Sequence, residues 1–287
     1  MGATHQRRRD RTSCGYRQRA HAALGQGTWH MGERASERAR EVRAVRAGID
    51  LGLTLVGTRP EMYGDGEAER MVRGEAIAGR RDELFWWPAL RRSATRAGVA
   101  AACERSLRRL GTDRIDLYLL HWRGHADLAD AVAGFRDLEQ AGKIVRWGVS
   151  NLDRGDMDDL WAVTGGEEVA TNQLLYHLGE RGIEAELLPW LRAHGIPVMA
   201  YAPLGQGRLL RQRALIDFAR RLELTPAQVG LAWLLARDDT IAIPKSSDPE
   251  RLAENRAAAD VRLSAEQLIE LDELFPAPGG DPPLAIL

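Results

Sequence analysis

Lysine is nearly missing from this chain. Lysine and arginine together number 40 in 287 residues, yet only Lys143 and Lys245 are lysines. A site that needs a lysine anywhere before residue 143 is therefore excluded. Cysteine is as scarce: Cys14 and Cys103 cannot build a disulfide framework or a four-ligand metal site. Cys103 falls inside an amphipathic pattern and reads as a small buried hydrophobe. No run approaches the ~20 apolar residues that cross a bilayer. Excess charge is missing too, since 41 acidic residues leave a net charge of −1. No global field draws the chain to nucleic acid or an anionic membrane. Six arginines crowd the first 20 residues, but no apolar stretch follows, so this is not a secretory signal. The expectation is a cytoplasmic protein with neither nucleic-acid nor membrane partners.

What is present is ordinary for an α/β protein. Hydrophobic residues make up 44% and charged residues 28%. Setting aside the arginine-rich segment 1–22, residues 23–287 read as a single domain. Short apolar runs at 23–29, 53–58, 84–87, 115–122, 144–151, 169–175, 197–204 and 240–246 predict eight strands, most continuous enough to be covered on both faces. Helical patterns lie between them, at 67–78, 98–110, 128–141, 183–194 and 226–237. Gly111 and Gly142 stand where helices stop, and Thr225-Pro226 where one starts. Two further helices, near 248–258 and 264–274, follow the last strand.

Eight strands alternating with helices predict a (β/α)8 TIM barrel with additional C-terminal helices, and about 250 residues is the usual size. An open doubly wound sheet is the runner-up. It needs a full glycine fingerprint after the first strand, and Gly25-Gln26-Gly27 is only a fragment. In a barrel, function sits where strands end. Those ends are rich in polar and aromatic residues: Gly27-Thr28-Trp29, His121-Trp122, Ser150-Asn151, Gln173, Tyr201 to Leu204, and Lys245-Ser246.

Seven segments in this order make a recognisable set: LGQGTW (24–29), EMYGDG (61–66), IDLYLLHW (115–122), WGVSN (147–151), TNQ (171–173), YAPL (201–204) and IPKSSDPERLAEN (243–255). Together they resemble the aldo-keto reductases. The resemblance implies a barrel that binds NADP(H) and reduces a small carbonyl substrate, an aldehyde or ketone, to an alcohol. By position it makes Tyr63 the proton donor and His121 the group that orients the carbonyl. It assigns Ser150, Asn151 and Gln173 to the nicotinamide carboxamide and Tyr201 to the nicotinamide face. Gly27, Thr28, Trp29, Pro203 and Leu204 fall at the same mouth. Lys245, Ser246, Arg251, Glu254 and Asn255 are assigned to the adenosine end. There a lysine, a hydroxyl and an arginine around a helix start suit a 2′-phosphate. Family habit makes a monomer the default.

The family also uses an aspartate and a lysine to draw down the tyrosine pKa. A free phenol near pKa 10 is a poor proton donor at neutral pH, and a cation beside it corrects this. Here Gly57 stands at the aspartate position and Pro88 or Ala89 at the lysine position. Three readings are open: a silenced member that still binds nucleotide, a weak enzyme with Arg59, Arg91 or Arg92 as substitute cation, or local reading-frame errors. The last fits offsets of plus one and minus one that cancel across these two segments. Guanidinium is larger and planar, which makes it a poor replacement for an ammonium.

Overall fold

A computed structural model describes residues 23–58, 66–72, 77, 79–90, 95–125, 127–280 and 282–287. The arginine-rich segment 1–22, Tyr63, Arg59, Arg91 and Arg92 lie outside the described residues.

Eight strands follow one another in space as in sequence, every neighbouring pair parallel. They are β1 Gln26–Gly27, β2 Leu55–Thr58, β3 Phe85–Leu90, β4 Ile115–Leu120, β5 Ile144–Ser150, β6 Asn172–Leu175, β7 Val198–Tyr201 and β8 Thr240–Ala242. Parallel bridges Leu24↔Ala242 and Gly27↔Lys245 join the first strand to the last. The seam is held by Gly25 N donating to Ala242 O at 2.8 Å and Gly27 N to Pro244 O at 3.0 Å. The sheet is therefore a closed (β/α)8 barrel, as expected.

The outer layer comprises α1 Ala35–Asp50, α2 Glu67–Met71, α3 Arg96–Leu110, α4 Leu128–Gln140, α5 Arg154–Ala162, α6 Leu187–Ala193, α7 Arg213–Arg221 and α8 Pro226–Leu235. The predicted C-terminal pair appears as α9 Pro249–Ala257 and α10 Ala265–Leu274. Caps explain several boundaries. Thr95 Oγ1 accepts from Gly98 N, and Thr225 closes a capping box with Gln228. Gly111 ends α3 at φ 61°, a conformation glycine adopts without Cβ strain.

Some expected boundaries are corrected. The seventh strand stops at Tyr201 because Ala202 turns left-handed at φ 46°, and the fifth stops at Ser150 because Asn151 does so at φ 57°. The eighth ends at Ala242 rather than Ser246: Pro244 has no N–H, and only the single bridge at Lys245 lies beyond. The third runs on through Pro88 to Leu90. The expected helix 183–194 splits into a 3-10 turn, Gly182–Glu184, and α6, whose first turn holds Pro189. Of the helix expected at 67–78, Glu67–Met71 is helical among the described residues, and residues 73–76 and 78 lie outside them. Three helices, α1, α5 and α7, have no counterpart in the sequence reading, although α1 buries Val42, Val45 and Ile49 and α7 buries Leu215, Phe218 and Ala219 at helical spacing.

Strand alternation divides the buried residues in two. Tyr118, Leu120, Val198 and Ala200 point out to the helices, whereas Leu117, Leu119, Met199, Tyr201, Ile241 and Ile243 fill the barrel. Trp86 belongs to the outer set and Trp87 to the inner one. Cys103 lies fully buried under α3, where loss of hydration pushes its thiol up to about 12. No helix of the described residues is long and apolar enough to cross a membrane.

One polar network pins the loop after β6 to the last helix. Arg181, only 8% exposed, donates to both oxygens of Glu184, to Asp272 and to the Phe275 carbonyl. Tyr176 donates to Glu184, and Trp233 to Asp272. Replacing Arg181 with methionine leaves Glu184 and Asp272 only Tyr176, Trp233 and the longer Arg237 contacts at 3.9 and 3.6 Å. In urea titrations it is expected to cost about 3–5 kcal/mol. Breaking the exposed Arg213–Asp217 pair by Arg213→Met should leave the same curve essentially unchanged.

Candidate functional site

The polar residues of the barrel mouth form one connected array. Ser150 Oγ donates to Gln173 O at 2.9 Å, and Asn151 Nδ2 donates to Ser150 Oγ at 3.1 Å and His121 O at 3.3 Å. Tyr201 OH donates to Asn151 Oδ1 at 3.1 Å, and Gln173 Nε2 to the weak acceptor Met199 Sδ at 3.0 Å. All of these residues are buried. The left-handed turn at Asn151 swings its amide back across the strand ends, so one side chain reaches β4, β5 and β7. The structure thus brings together His121, Ser150, Asn151, Gln173 and Tyr201. His121 is 2% exposed and meets Trp122 edge-on at 5.4 Å.

The opposite side of the mouth is apolar where the sequence flagged a loss. β2 and β3 pair Gly57 with Trp87. A Cβ on Gly57 would lie 2.3 Å from Trp87 Cζ2 and 2.4 Å from its Cε2. The indole therefore occupies the place a side chain at 57 would need. Of the two candidates for the lysine position, Ala89 shares the inward face with Trp87, while Pro88 alternates outward. Where a carboxylate and a cation were expected, the wall is indole, glycine and methyl. Trp87, to which the sequence assigned no role, is the residue that fills it.

The seam between β1 and β8 carries the third group. Gly27 lies against Lys245, and Thr28 Oγ1 donates across to Gly57 O at 2.8 Å. Solvent reaches Lys245, yet crowding at the strand end strips enough water to hold its ammonium below the usual lysine range. Ser246 Oγ is engaged in a turn, donating to Asp248 O and accepting from Asp248 N. Asp248 caps α9, and its Oδ1 accepts from Glu250 N at 3.0 Å. A carboxylate, Asp248, therefore stands at the helix start around which the resemblance assigns Lys245, Ser246 and Arg251 to a 2′-phosphate. Arg251 is exposed, Asn255 is buried beneath it, and Glu254 accepts a hydrogen bond from Thr225 Oγ1.

The remaining assignments are less convergent. Trp29 and Trp122 are half-buried, Trp29 tilted against His30 at 4.2 Å. Pro203 is buried behind Tyr201, but Leu204 packs on the outer core above Gly230. After Tyr201 the backbone is left-handed at Ala202, Gly205, Gln206 and Gly207. Such conformations cluster at ligand clamps, and no sequence signal marks the non-glycine ones. Beneath this loop His177, which the sequence reading passed over, is driven down to about 4 by burial and the Arg208 charge, so it is neutral at pH 7. The described residues contain no cluster of His, Cys, Asp and Glu fit to hold a metal.

Comparison with known proteins places this arrangement. The sequence model of the Aldo/keto reductase family matches residues 23–275. The chain belongs to the aldo/keto reductase family. It is 49% identical over 269 residues to methylglyoxal reductase YeaE of Escherichia coli (strain K12), spanning 90% of this chain and 92% of the relative. An aldo-keto reductase from Klebsiella pneumoniae, solved with NADPH, superposes with a TM-score of 0.89 at 48% identity, covering 92% of this chain and 95% of that one. The same organism's enzyme has also been solved with NADP and acetate, at the same TM-score of 0.89.

Steric exclusion at Gly57 is directly testable. Gly57→Asp is expected to lower the unfolding free energy by about 3 kcal/mol or more, through overpacking and a buried unpaired charge. Adding Trp87→Val removes the overlap and should recover part of that loss in the same denaturation curves.

Proposed function

We infer that this chain binds NADP(H) across the strand ends and reduces a small aldehyde or ketone, with proton delivery impaired. The observation that carries the binding half is the buried Ser150–Asn151–Gln173–Tyr201 array facing the cationic seam at Lys245. Its donor set fits the nucleotide. Two side-chain amides suit a carboxamide, a tyrosine ring supplies a flat stacking surface, and ammonium and guanidinium groups suit phosphates. The Klebsiella neighbour's bound NADPH supports the same choice of cofactor. The Escherichia coli relative's name, methylglyoxal reductase, supports a small 2-oxoaldehyde as the substrate class.

Bound reduced nicotinamide supplies the hydride; the chain supplies position and the proton. In this reading Ser150, Asn151 and Gln173 fix the carboxamide, so that one ring face is presented. His121, buried and aimed into the mouth, donates a hydrogen bond to the carbonyl oxygen. Tyr63 gives that oxygen its proton as alkoxide character develops. Among the described residues the wall of Gly57, Trp87 and Ala89 carries no cation that would favour phenolate, which supports slow proton transfer.

The same wall favours a second reading, a nucleotide-binding protein without turnover. Titrating NADPH by quenching of tryptophan fluorescence, then following nicotinamide absorbance with methylglyoxal or a reactive aromatic aldehyde, separates them. Slow but saturable turnover supports the first reading, and tight binding with no turnover supports the second. Absence of binding overturns both.

Two outcomes are expected beyond this. The triple variant Gly57→Asp, Trp87→Val, Ala89→Lys rebuilds the ion pair and should raise kcat by roughly 10²–10³-fold, since one such electrostatic contribution is worth about 3–4 kcal/mol. For pH, a phosphate beside Lys245 favours its charged form and raises the depressed pKa. NADPH affinity is therefore full below the free-protein pKa of Lys245 and falls as pH rises through it, beginning below the ordinary lysine range. Lys245→Arg should flatten that alkaline decline in the same titrations.

A further inference from the structure

Resting on the nucleotide-binding reading, we propose that Met199 is a positioning residue. Its thioether fixes which way round the buried Gln173 amide lies, and so makes this corner of the mouth select a ring substituent that donates a hydrogen bond. Gln173 on β6 and Met199 on β7 are register partners, and Gln173 shares the inward face of β6 with Leu175. Gln173 is 2% exposed and Met199 is fully buried, so bulk water does not compete for their contact. Gln173 Nε2 donates to Met199 Sδ at 3.0 Å. A thioether has lone pairs and no hydrogen to give. The end of the amide that faces the sulfur is therefore its NH2, because the carbonyl end would set one acceptor against another.

The neighbouring groups of the array are oriented by other means. Asn151 Nδ2 donates to Ser150 Oγ, and Tyr201 OH donates to Asn151 Oδ1, which together settle the direction of the Asn151 amide. The bond from Ser150 Oγ to Gln173 ends on the main-chain oxygen and leaves the direction of the Gln173 side chain open. On the far side of Met199 the register partner is Ile241, an aliphatic residue with no polar atom to draw the amide across. The edge of the Gln173 amide turned away from the sulfur is led by Oε1, an acceptor. Such an edge accepts from the NH2 of a pyridine 3-carboxamide. A 3-acetyl group in the same place has no hydrogen to give, so it loses that bond. With an aliphatic residue at 199 the amide can lie either way round, and each orientation then serves one of the two ring substituents.

The test measures NADP, its 3-acetylpyridine analogue and 2′,5′-ADP by titration calorimetry against wild type, Met199→Leu, Gln173→Ala and the double variant. Urea titrations accompany each protein, and Met199→Leu is expected to stay folded because the two side chains fill similar volumes. Wild type should prefer NADP to the analogue about tenfold, the worth of one hydrogen bond. Met199→Leu should bring the two dinucleotides to within about twofold of each other, chiefly by binding the analogue more tightly. A general loosening of the mouth would weaken both together and could not strengthen one. Binding of 2′,5′-ADP, which lacks the nicotinamide, should stay within about twofold throughout. In the Gln173→Ala background Met199→Leu should change nothing further, because the sulfur acts through that amide. An unchanged NADP-to-analogue ratio in a folded Met199→Leu, equal weakening of both dinucleotides, or a wild type with no preference overturns the assignment while leaving the cofactor reading intact. Wild type that binds no nucleotide overturns both.

Discussion

The seam between β1 and β8 is the constraint on which everything else depends. Gly25 and Gly27 donate main-chain hydrogen bonds to Ala242 and Pro244, and these close eight strands into a ring. The approach is close: a Cβ on Gly25 would lie 2.8 Å from Leu55 O, and one on Gly27 3.3 Å from Ile243 O. Closure also brings the first loop and the last loop together, though more than 200 residues separate them in sequence.

Once the ring is closed, alternation along each strand decides what faces the mouth. On β4 to β7 the inward and upper positions carry His121, Ser150, Asn151, Gln173 and Tyr201, and their hydrogen bonds interlock. On β2 and β3 the same alternation turns Trp87 and Ala89 inward beside Gly57. A tryptophan there is compatible with the fold, because the neighbouring Gly57 leaves room for the indole. An aspartate at 57 and the present indole exclude each other by distance alone. The loss of the carboxylate and the presence of Trp87 are thus one structural fact, not two.

The fold was legible because buried parallel strands leave continuous apolar runs, and seven of the eight strands end within a few residues of a polar or glycine signal. The mouth residues were legible for the same reason, since strand ends are where a barrel keeps its chemistry. Helices α1, α5 and α7 were not: their apolar faces are narrow, only Met157 and Leu160 on α5 and Leu215, Phe218 and Ala219 on α7, and packing against the barrel is what defines them. The role of Trp87 was equally hidden, because which of two adjacent tryptophans points inward depends on register rather than composition. The cap at the start of α9 was not read either: Asp248, a good N-cap residue, accepts from the Glu250 N–H there.

The two halves of the mouth rest on different supports. The nucleotide-facing array is braced by hydrogen bonds among β4 to β7 and by the β1–β8 seam, none of which passes through residue 57 or 89 except the Thr28 bond to the Gly57 carbonyl. That bond uses main chain, so it survives any side chain at 57. The proton-delivery half is braced by what fills β2 and β3. Substituting indole and methyl for an ion pair removes an expensive pair of partly desolvated charges and replaces it with apolar contact, an exchange that is often neutral or favourable for stability. A barrel of this build can therefore exchange a charged pair at β2 and β3 for apolar packing while the hydrogen-bonded array of β4 to β7 stays in place, and selection for a stable fold alone would not restore the pair.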